Sequence, residues 1–512
     1  MKLRTLSALF LCLVLIASAA HAQINTERYP VTTEPLTYTA CMANNYISDP
    51  SQMPVFQQFT EITGVSFDWT VISSTNLETQ VSLMLASNEI PDVSFGVFND
   101  GNVLKYAPLG VFLHYEEYID AGMPNLKYMA TEVSPDLLKS LTFSDGHIYT
   151  LPKLGAPNVP TTTGVYINRA WLDELNLQMP ATTDELYDVL TAFKAHAGEG
   201  SIPENCVPLA WSQSDKGWTT GQLNAWFGVT LGMMFKDGTA IYSPYTEEWK
   251  DMVLWLNKCW KNGLMDTELF TQDGATFKAK GRELLYGAMQ TYTLQTVLDI
   301  SAGQDENYSL LPALNDRAFR QRPDGSYTVL NKGVISAAVE KPELLMSALD
   351  LLYDSDMGFQ IVYGPFDIVT EITDEGEYKR KDDIPPAVYS TLEEWTRTFS
   401  WNQLPCAIEY TDQMNSLLQD FDRLAQYEMA EVYGGHWIND VMIYGFQTIE
   451  ESNEMSEYST DIEKYVNERY AQWVTGERDV EADWEEYKTQ LEKLHVREYT
   501  AAYQAYYDRL MK

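Results

Sequence analysis

The side chains that could do chemistry in this chain are aromatic rings, amides and carboxylates. Its 512 residues include 13 Trp, 32 Tyr and 73 Asp plus Glu. Flat rings pack on the apolar C–H faces of a sugar, and Asn, Asp and Arg side chains pair with its hydroxyls. The sequence contains no G-x-S-x-G, H-E-x-x-H, P-loop or Gly-rich dinucleotide motif. This pattern favours a binding protein over an enzyme.

Alternating strands and helices must position these side chains in the amino-terminal part. Leu36 to Ala40 and Val65 to Val71 alternate in polarity, as half-buried strands do. Val55 to Ile62 and Leu77 to Ser87 have helical spacing of apolar residues. The alternation predicts right-handed crossovers and a largely parallel sheet, in which ligands bind beyond the carboxyl ends of the strands.

A second strand and helix series follows in the middle of the chain. Gly164 to Asn168 has the composition of a buried strand, and Trp171 to Leu177 has helical spacing. Pro180 ends this helix, and Thr182 to Glu185 supplies short polar side chains that cap the start of another.

The first 22 residues are typical of a secretory signal peptide. Lys2 and Arg4 precede an apolar run from Leu6 to Ala20, and cleavage is predicted after Ala22. An uncleaved anchor is the alternative, but the run is shorter than the ~20 residues of a spanning helix. Cys12 lies within the apolar run, so no lipobox is recognised. We expect a periplasmic or extracellular product.

Composition limits the class of protein. A chain of 512 residues with 45% hydrophobic residues is expected to form at least two domains. The formal charge is −38, and loss of Lys2 and Arg4 with the signal makes it two units more negative. Such a surface repels phosphate backbones and anionic lipids, which argues against nucleic acid as a partner.

Four cysteines remain in the mature chain: Cys41, Cys206, Cys259 and Cys406. They are widely spaced and form no C-x-x-C pair, so metal binding by these thiols is not expected. One or two disulfides, or isolated buried thiols, are both compatible with their spacing.

Residues 151–194 resemble the conserved centre of family 1 extracellular solute-binding proteins, the receptor subunits of ABC importers. Further landmarks in the family order are Glu61 to Val65, Asp145 to Pro152 and Phe277 to Gly281. The resemblance implies an α/β fold of two periplasmic-binding-protein-like lobes joined by a hinge, with a helical carboxyl-terminal extension. It places the amino-terminal lobe at residues 35–162 plus 308–365, and the carboxyl-terminal lobe at 163–307 plus 366–512.

The resemblance also implies a function. A monomeric receptor without cofactor would capture a solute, expected to be an oligosaccharide, in a cleft between the lobes and deliver it to membrane permease subunits. The alternatives are a secreted carbohydrate-active hydrolase, a receptor for a peptide or other polar solute, and an adhesion module.

Most candidate ligand-binding residues lie in loops at predicted strand ends. Tyr292 lies where maltodextrin receptors of the family carry a stacking aromatic, and Trp401 and Trp437 are further candidates later in the chain. The candidates are Asn45, Tyr46, Phe98, Asn99, Asp100, Trp211, Trp218, Tyr292, Trp401 and Trp437. Some family members have a calcium loop whose counterpart here is Ala195 to Pro203. That stretch has Glu199 as its one carboxylate, whereas calcium takes 6–8 oxygen ligands, so no metal ligands are predicted.

Overall fold

The computed structural model describes residues 26–44, 49–73, 75–157, 160, 163–212, 221–299, 302–321, 327–381, 399, 404–414, 421–442 and 445–511. They form two compact units. The first unit contains the described residues up to Pro157, within 327–418, and 445–446. The second contains those within 158–326, 419–443 and 447–512.

Strands and helices alternate over much of the chain. The strands are β1 (Leu36–Ala43), β2 (Val65–Ile72), β3 (Val93–Phe95), β4 (Leu151–Pro157), β5 (Gly164–Asn168), β6 (Val207–Ala210), β7 (Met233–Lys236), β8 (Thr239–Tyr242), β9 (Tyr286–Thr291), β10 (Tyr308–Leu310), β11 (Tyr327–Ile335), β12 (Thr370–Ile372) and β13 (Tyr378–Arg380). The helices are α1 (Pro54–Thr63), α2 (Leu77–Ser87), α3 (Asp100–Tyr106), α4 (Glu116–Gly122), α5 (Pro124–Tyr128), α6 (Leu137–Leu141), α7 (Arg169–Glu174), α8 (Thr183–Ala195), α9 (Gly221–Ala225), α10 (Glu247–Lys261), α11 (Gly274–Arg282), α12 (Pro342–Leu349), α13 (Ser355–Tyr363), α14 (Phe421–Tyr433), α15 (Ile449–Thr475), α16 (Val480–Lys493) and α17 (Val496–Met511).

The first unit is built on a five-stranded sheet in the order β2-β1-β3-β11-β4. Strands β1, β2 and β3 are parallel, as the alternation predicted, while β11 runs antiparallel to both β3 and β4. A row of aromatic rings packs along it, with Phe56 4.8 Å and Phe95 5.8 Å from the Trp69 ring, measured between centroids. Phe56 and Phe95 belong to the buried core of the first unit, and the partly buried Trp69 packs against it.

One carboxylate is enclosed in the first unit. The Asp350 side chain is 0% exposed and accepts hydrogen bonds from the backbone N–H groups of Asn125 and Leu126, at 3.2 and 3.0 Å. Arg28 lies 2.9 Å from it. Burial raises the pKa of Asp350 to about 6, although these donors act to lower it.

The second unit contains a smaller sheet in the order β10-β5-β9-β6. Strands β5 and β9 are buried along their whole length. Helix α8 begins as predicted, because the Thr182 side chain accepts from the Glu185 N–H and the Glu185 carboxylate accepts from the Thr182 N–H.

Helices α15, α16 and α17 form the helical carboxyl-terminal region; α15 and α16 pack on α10, and α17 packs on α15, α16 and β8. Their core is a cluster of large rings around Trp249, which is 0% exposed. Trp484 and Tyr487 stack near it, with centroids 6.4 and 6.1 Å from its ring. The Trp484 indole N–H donates to Glu247 at 2.7 Å. The carboxyl-terminal helices are thus an integral part of the second unit.

The fold class is the predicted one, a mixed α/β protein with two units and a helical carboxyl-terminal region. The unit boundaries differ from the predicted ones. Strand β10 pairs with β5 in the second unit, although residues 308–326 were expected in the amino-terminal lobe. Strands β12 and β13 lie in the first unit, although residues after 365 were expected in the other lobe.

Two further sequence predictions concern the cysteines and the amino terminus. Cys41, Cys206, Cys259 and Cys406 are free and buried. Burial raises the pKa of the Cys41 and Cys406 thiols to about 11. The predicted signal peptide lies outside the described residues. Among the helices of the described part, none has the length and apolar character needed to cross a bilayer.

Candidate ligand-binding site

The carboxyl edge of the first unit's sheet carries the first predicted binding residues. Met42 pairs with Phe95, so Asn44 and Gly96 follow at the same edge of β1 and β3. The Asn44 N–H donates to the Ile72 carbonyl at 2.9 Å, so the residue after β1 is still hydrogen-bonded to the end of β2. The next residues, Asn45 and Tyr46, lie outside the described part of the chain.

Three predicted residues follow β3 directly. Phe98 is 8% exposed and packs edge-on against Phe112, with ring centroids 5.1 Å apart. Asn99 caps α3, since its side-chain oxygen accepts from the Asn102 N–H at 2.8 Å. Asp100 is exposed in the first turn of α3. The cap explains the polar sequence at this strand end, and a ligand role for the three residues stays a prediction.

Two lysines in the same unit were missed by the sequence analysis. Lys153 lies opposite Leu330 in the β4–β11 pair, and Lys332 lies two residues further along β11. Burial lowers the pKa of Lys153. Burial and the neighbouring Lys153 lower the pKa of Lys332, while Asp100 acts to raise it. The two ammonium groups and the Asp100 carboxylate therefore share one electrostatic environment. A single lysine within each of two apolar strands was the signal in the sequence.

In the second unit, two predicted aromatics follow the parallel strands β6 and β9. Trp211 is 0% exposed and packs in the main core of the unit. Its ring therefore has no exposed face for stacking in this structure. Tyr292 is half-buried, and its hydroxyl accepts from the Gln426 amide at 2.5 Å. Trp218 and Trp401 lie outside the described residues.

The second unit also holds an open groove of about 420 Å³. Its lining combines aromatic, apolar, amide and charged side chains. They are Gly221, Asn224, Thr230, Leu231, Gly232, Met233, Met234, Phe235, Phe319, Arg320, Gln321, Asn439, Asp440, Val441 and Met442. Trp437 lies beside one wall, where it forms a bridge with Ala318. The structure thus brings one predicted residue next to this groove.

Hydrogen bonds between distant segments fix the wall of the groove. The Gln222 amide, 0% exposed, donates to the Phe319 carbonyl and accepts from the Phe319 N–H, both at 3.0 Å. Asn439 accepts from the Arg320 N–H at 2.9 Å and donates to its carbonyl at 2.7 Å. Asp440 accepts from the Gly238 N–H at 2.8 Å. The Phe319 and Arg320 backbone is therefore held in place.

Asn224 stands out among the lining residues. Its side chain is 1% exposed, and neither its amide nitrogen nor its amide oxygen has a hydrogen-bond partner in the described part of the chain. An unpaired buried polar group costs roughly 1–3 kcal/mol. A polar group or water that entered the groove and reached this amide would remove that cost. The groove therefore suits a solute that carries both hydroxyls and apolar faces.

The stretch that corresponds to the family's calcium loop is a compact turn. The Glu199 carboxylate accepts a hydrogen bond from the Nδ1 atom of His196 at 2.7 Å. Glu174 accepts from the Ser201 N–H and hydroxyl, at 3.1 and 2.5 Å. Both carboxylates are thus engaged by neighbouring side chains or backbone.

Two α/β units with aromatic and polar side chains at strand ends and in an open groove are typical of solute-binding proteins. The chain belongs to the family of bacterial extracellular solute-binding proteins, whose model matches residues 55–352. This confirms the resemblance found in the sequence.

Individual relatives extend the match over nearly the whole chain. The fructooligosaccharide ABC transporter substrate-binding protein FusA of Streptococcus pneumoniae serotype 4 is 26% identical over 486 residues, covering 90% of this chain and 88% of FusA. The structure of FusA in complex with kestose has a TM-score of 0.80 at 25% identity and covers 92% of this chain and 99% of that one. An HMO-binding, ABC-transporter-associated solute-binding protein from Bifidobacterium longum infantis has a TM-score of 0.81 at 21% identity, covering 94% of this chain and 100% of that one, which supports the fold.

Proposed function

We propose that this chain is the substrate-binding protein of an ABC importer and captures an oligosaccharide of the fructooligosaccharide type. The observation that carries the proposal is the match to FusA, which spans 90% of this chain in sequence. The fold match to the kestose complex, with a TM-score of 0.80 over 92% of the chain, supports the same conclusion. A match of this length includes both units rather than a single shared domain.

The groove in the second unit supplies chemistry of the right kind. Phe319 offers an aromatic ring for the apolar face of a sugar, and Arg320 offers hydrogen-bond donors for its hydroxyls. The buried Asn224 amide adds both a donor and an acceptor. We infer that this groove contributes to sugar recognition. The candidate residues of the first unit, Asn99 and Asp100 among them, are proposed to contribute further hydroxyl contacts.

Capture without chemical change is part of the proposal. The named relatives are substrate-binding proteins, and the sequence has no recognisable catalytic motif. The bound sugar is therefore expected to leave the protein intact. Closure of two lobes around the ligand stays a prediction from the family resemblance.

We also propose that the chain is exported, cleaved after Ala22, and active as a monomer that presents its ligand to membrane permease subunits. Export agrees with the extracellular character of the family. Amino-terminal sequencing of the secreted protein should begin at Gln23. Light scattering of the mature protein should give the mass of one chain.

A thermal-shift screen tests the binding proposal. The mature protein, residues 23–512, is mixed with fructooligosaccharides including kestose, other neutral oligosaccharides, oligouronates and short peptides. A fructooligosaccharide should raise the melting temperature, because a ligand that binds only the folded state stabilises it. Each hit is then recovered and analysed by chromatography. A cleaved sugar would contradict the receptor proposal, and a shift with peptides alone would reassign its ligand class.

Matched variants test the role of the groove. Arg320→Ala removes a groove cation, and Arg497→Ala removes an exposed arginine that pairs with Glu492 outside the groove. The first variant should weaken sugar binding about tenfold, or about 1.4 kcal/mol, and the second should leave it unchanged. Equal affinity of both variants would remove the groove from the proposal but leave the receptor function standing.

A further inference from the structure

In the first unit, the side chains of two histidines and a glutamate lie close together although they come from separate segments of the chain. His114 and Glu116 lie where the chain enters α4, and His147 lies in the turn before β4. The Nδ1 atom of His114 is 2.9 Å from one carboxylate oxygen of Glu116, and the Nδ1 atom of His147 is 3.3 Å from the other. The imidazole centroids are 4.8 Å apart. Possible ligand atoms of all three residues lie within 4.8 Å of one another.

The backbone holds these two segments together. The Tyr115 N–H donates to the Ile148 carbonyl at 2.9 Å, and the Ile148 N–H donates to Glu116 at 2.5 Å. Tyr115 is 0% exposed, and its hydroxyl accepts from the Ile335 N–H of β11 at 2.9 Å. The side chains of His114, Glu116 and His147 therefore project from anchored positions, so little reordering is needed to bring them onto one ion.

The charge state of the glutamate suits a cation. A glutamate side chain with its ordinary pKa of about 4.3 is negatively charged at neutral pH. The side chains of His114 and His147 are 49% and 47% exposed, so an ion from solvent can reach both rings.

We propose that His114, Glu116 and His147 form a binding site for one divalent transition-metal ion of the zinc class. Zinc takes imidazole nitrogen and carboxylate oxygen ligands at about 2.0–2.2 Å, which places tetrahedral ligand atoms about 3.3 Å apart. The Nδ1 atoms of His114 and His147 lie 2.9 and 3.3 Å from the two different carboxylate oxygens of Glu116. One ligand atom from each of the three residues falls within 4.8 Å of the others, so small side-chain rotations bring them to the spacing of one ion. Two imidazoles and one carboxylate leave the fourth position for water.

The ligand types also select the ion. Calcium and magnesium prefer oxygen ligands, whereas imidazole suits zinc, copper and nickel. Within the described ranges this is the one group of three or more His, Cys, Asp or Glu side chains close enough to share an ion. Bound metal would cross-link the entry of α4 to the turn before β4. The proposal is independent of the identity of the transported solute.

Zinc titration of the mature, tag-free protein tests the site. Isothermal titration calorimetry with ZnCl₂ should give one site per chain, and Zn²⁺ should raise the melting temperature. His114→Ala and His147→Ala should each weaken binding at least tenfold without lowering the melting temperature of the metal-free protein, because both side chains are exposed. A millimolar excess of Mg²⁺ should leave zinc affinity unchanged.

His196→Ala is the matched control. His196 is similarly exposed, at 46%, and pairs with the single carboxylate of Glu199 at 2.7 Å. Its loss should not change the tight zinc site. The proposal is overturned if the wild-type protein takes up no zinc above the buffer blank. It is also overturned if the His114→Ala and His147→Ala proteins bind zinc as tightly as the His196→Ala protein.

Discussion

The two units stabilise themselves in different ways. The first unit encloses a carboxylate, Asp350, within hydrogen bonds from Arg28 and two backbone N–H groups. The second unit encloses a cluster of tryptophan and tyrosine rings around Trp249. Apolar burial is insensitive to pH, whereas a buried carboxylate responds to it. The two units should therefore respond differently to mutation and to acid.

The positions of the candidate binding residues in the fold also differ between the two units. In the first unit they follow the ends of parallel strands, where Asn99 and Asp100 begin α3. In the second unit two predicted aromatics also follow strand ends, but the groove is built from α9 and from segments around Phe319 and Asn439, which hydrogen bonds join. A strand end is a local feature of the sequence, but a groove assembled from distant segments is not. This difference decides which candidates a sequence can reveal.

The largest effect is expected in the aromatic cluster of the second unit. Trp249→Ala removes a fully buried ring and should lower the free energy of unfolding by about 3–5 kcal/mol. Urea unfolding followed by circular dichroism measures the change without relying on the lost fluorophore. Trp260→Ala, a half-buried residue on the same helix α10, is the control and should cost clearly less. Equal losses would contradict the central role of Trp249.

Removal of the buried carboxylate should have the next largest effect. Asp350→Ala leaves Arg28 and the N–H groups of Asn125 and Leu126 without their acceptor, so we expect a loss of about 2–4 kcal/mol. Thermal and urea unfolding provide the measurement. Asp120→Ala, which removes a carboxylate that is 75% exposed, should change stability by less than about 0.5 kcal/mol. If Asp350→Ala left the free energy of unfolding unchanged, this ion pair would not support the first unit.

A smaller effect is expected on ligand affinity. Phe319→Ala removes the ring from the groove and should weaken fructooligosaccharide binding about tenfold, or about 1.4 kcal/mol. Lys332→Met, in the first unit, keeps the length of the side chain but removes its charge, and should weaken binding of a neutral sugar less. Calorimetric titration compares the two variants. If Lys332→Met weakened binding more than Phe319→Ala, the main recognition surface would lie at the lysines of the first unit.

The smallest expected effect is the dependence of stability on pH. It distinguishes the first unit, which has a buried carboxylate, from the second, which has an apolar cluster. Burial raises the pKa of Asp350 from 3.8 to about 6 in the folded state. A folded-state pKa above the unfolded value favours folding at low pH, and this contribution is lost as the pH rises through about 6. Lowering the pH from 7 to 5 should therefore stabilise the wild type by about 1 kcal/mol relative to Asp350→Asn. Parallel stability curves for both proteins would contradict the raised pKa.

Local patterns in the sequence predicted much of the fold. The spacing of Leu77 to Ser87 predicted a helix with the observed bounds, and Thr182 with Glu185 predicted the start of α8. Both signals depend on neighbours within one helical turn. The position of β10 in the second unit was not predicted, because its pairing with β5 joins residues about 140 positions apart.

The candidate site was less accessible to sequence reasoning. Trp211 was selected for its position after a strand, but its ring is buried, and burial depends on what packs around that strand. Lys153 and Lys332 approach each other only because β4 pairs with β11. Phe319, Arg320 and Asn439 form one groove wall through long-range hydrogen bonds. None of these long-range contacts corresponds to a short motif in the sequence.

Native mass spectrometry of residues 23–512 with a mixture of fructooligosaccharides tests the central claim most directly. The account predicts a single chain that carries one sugar molecule, with the mass of the bound sugar equal to that of the sugar added. A protein that remains unliganded with every oligosaccharide, or that releases shortened sugars, would contradict capture of an intact oligosaccharide by this receptor.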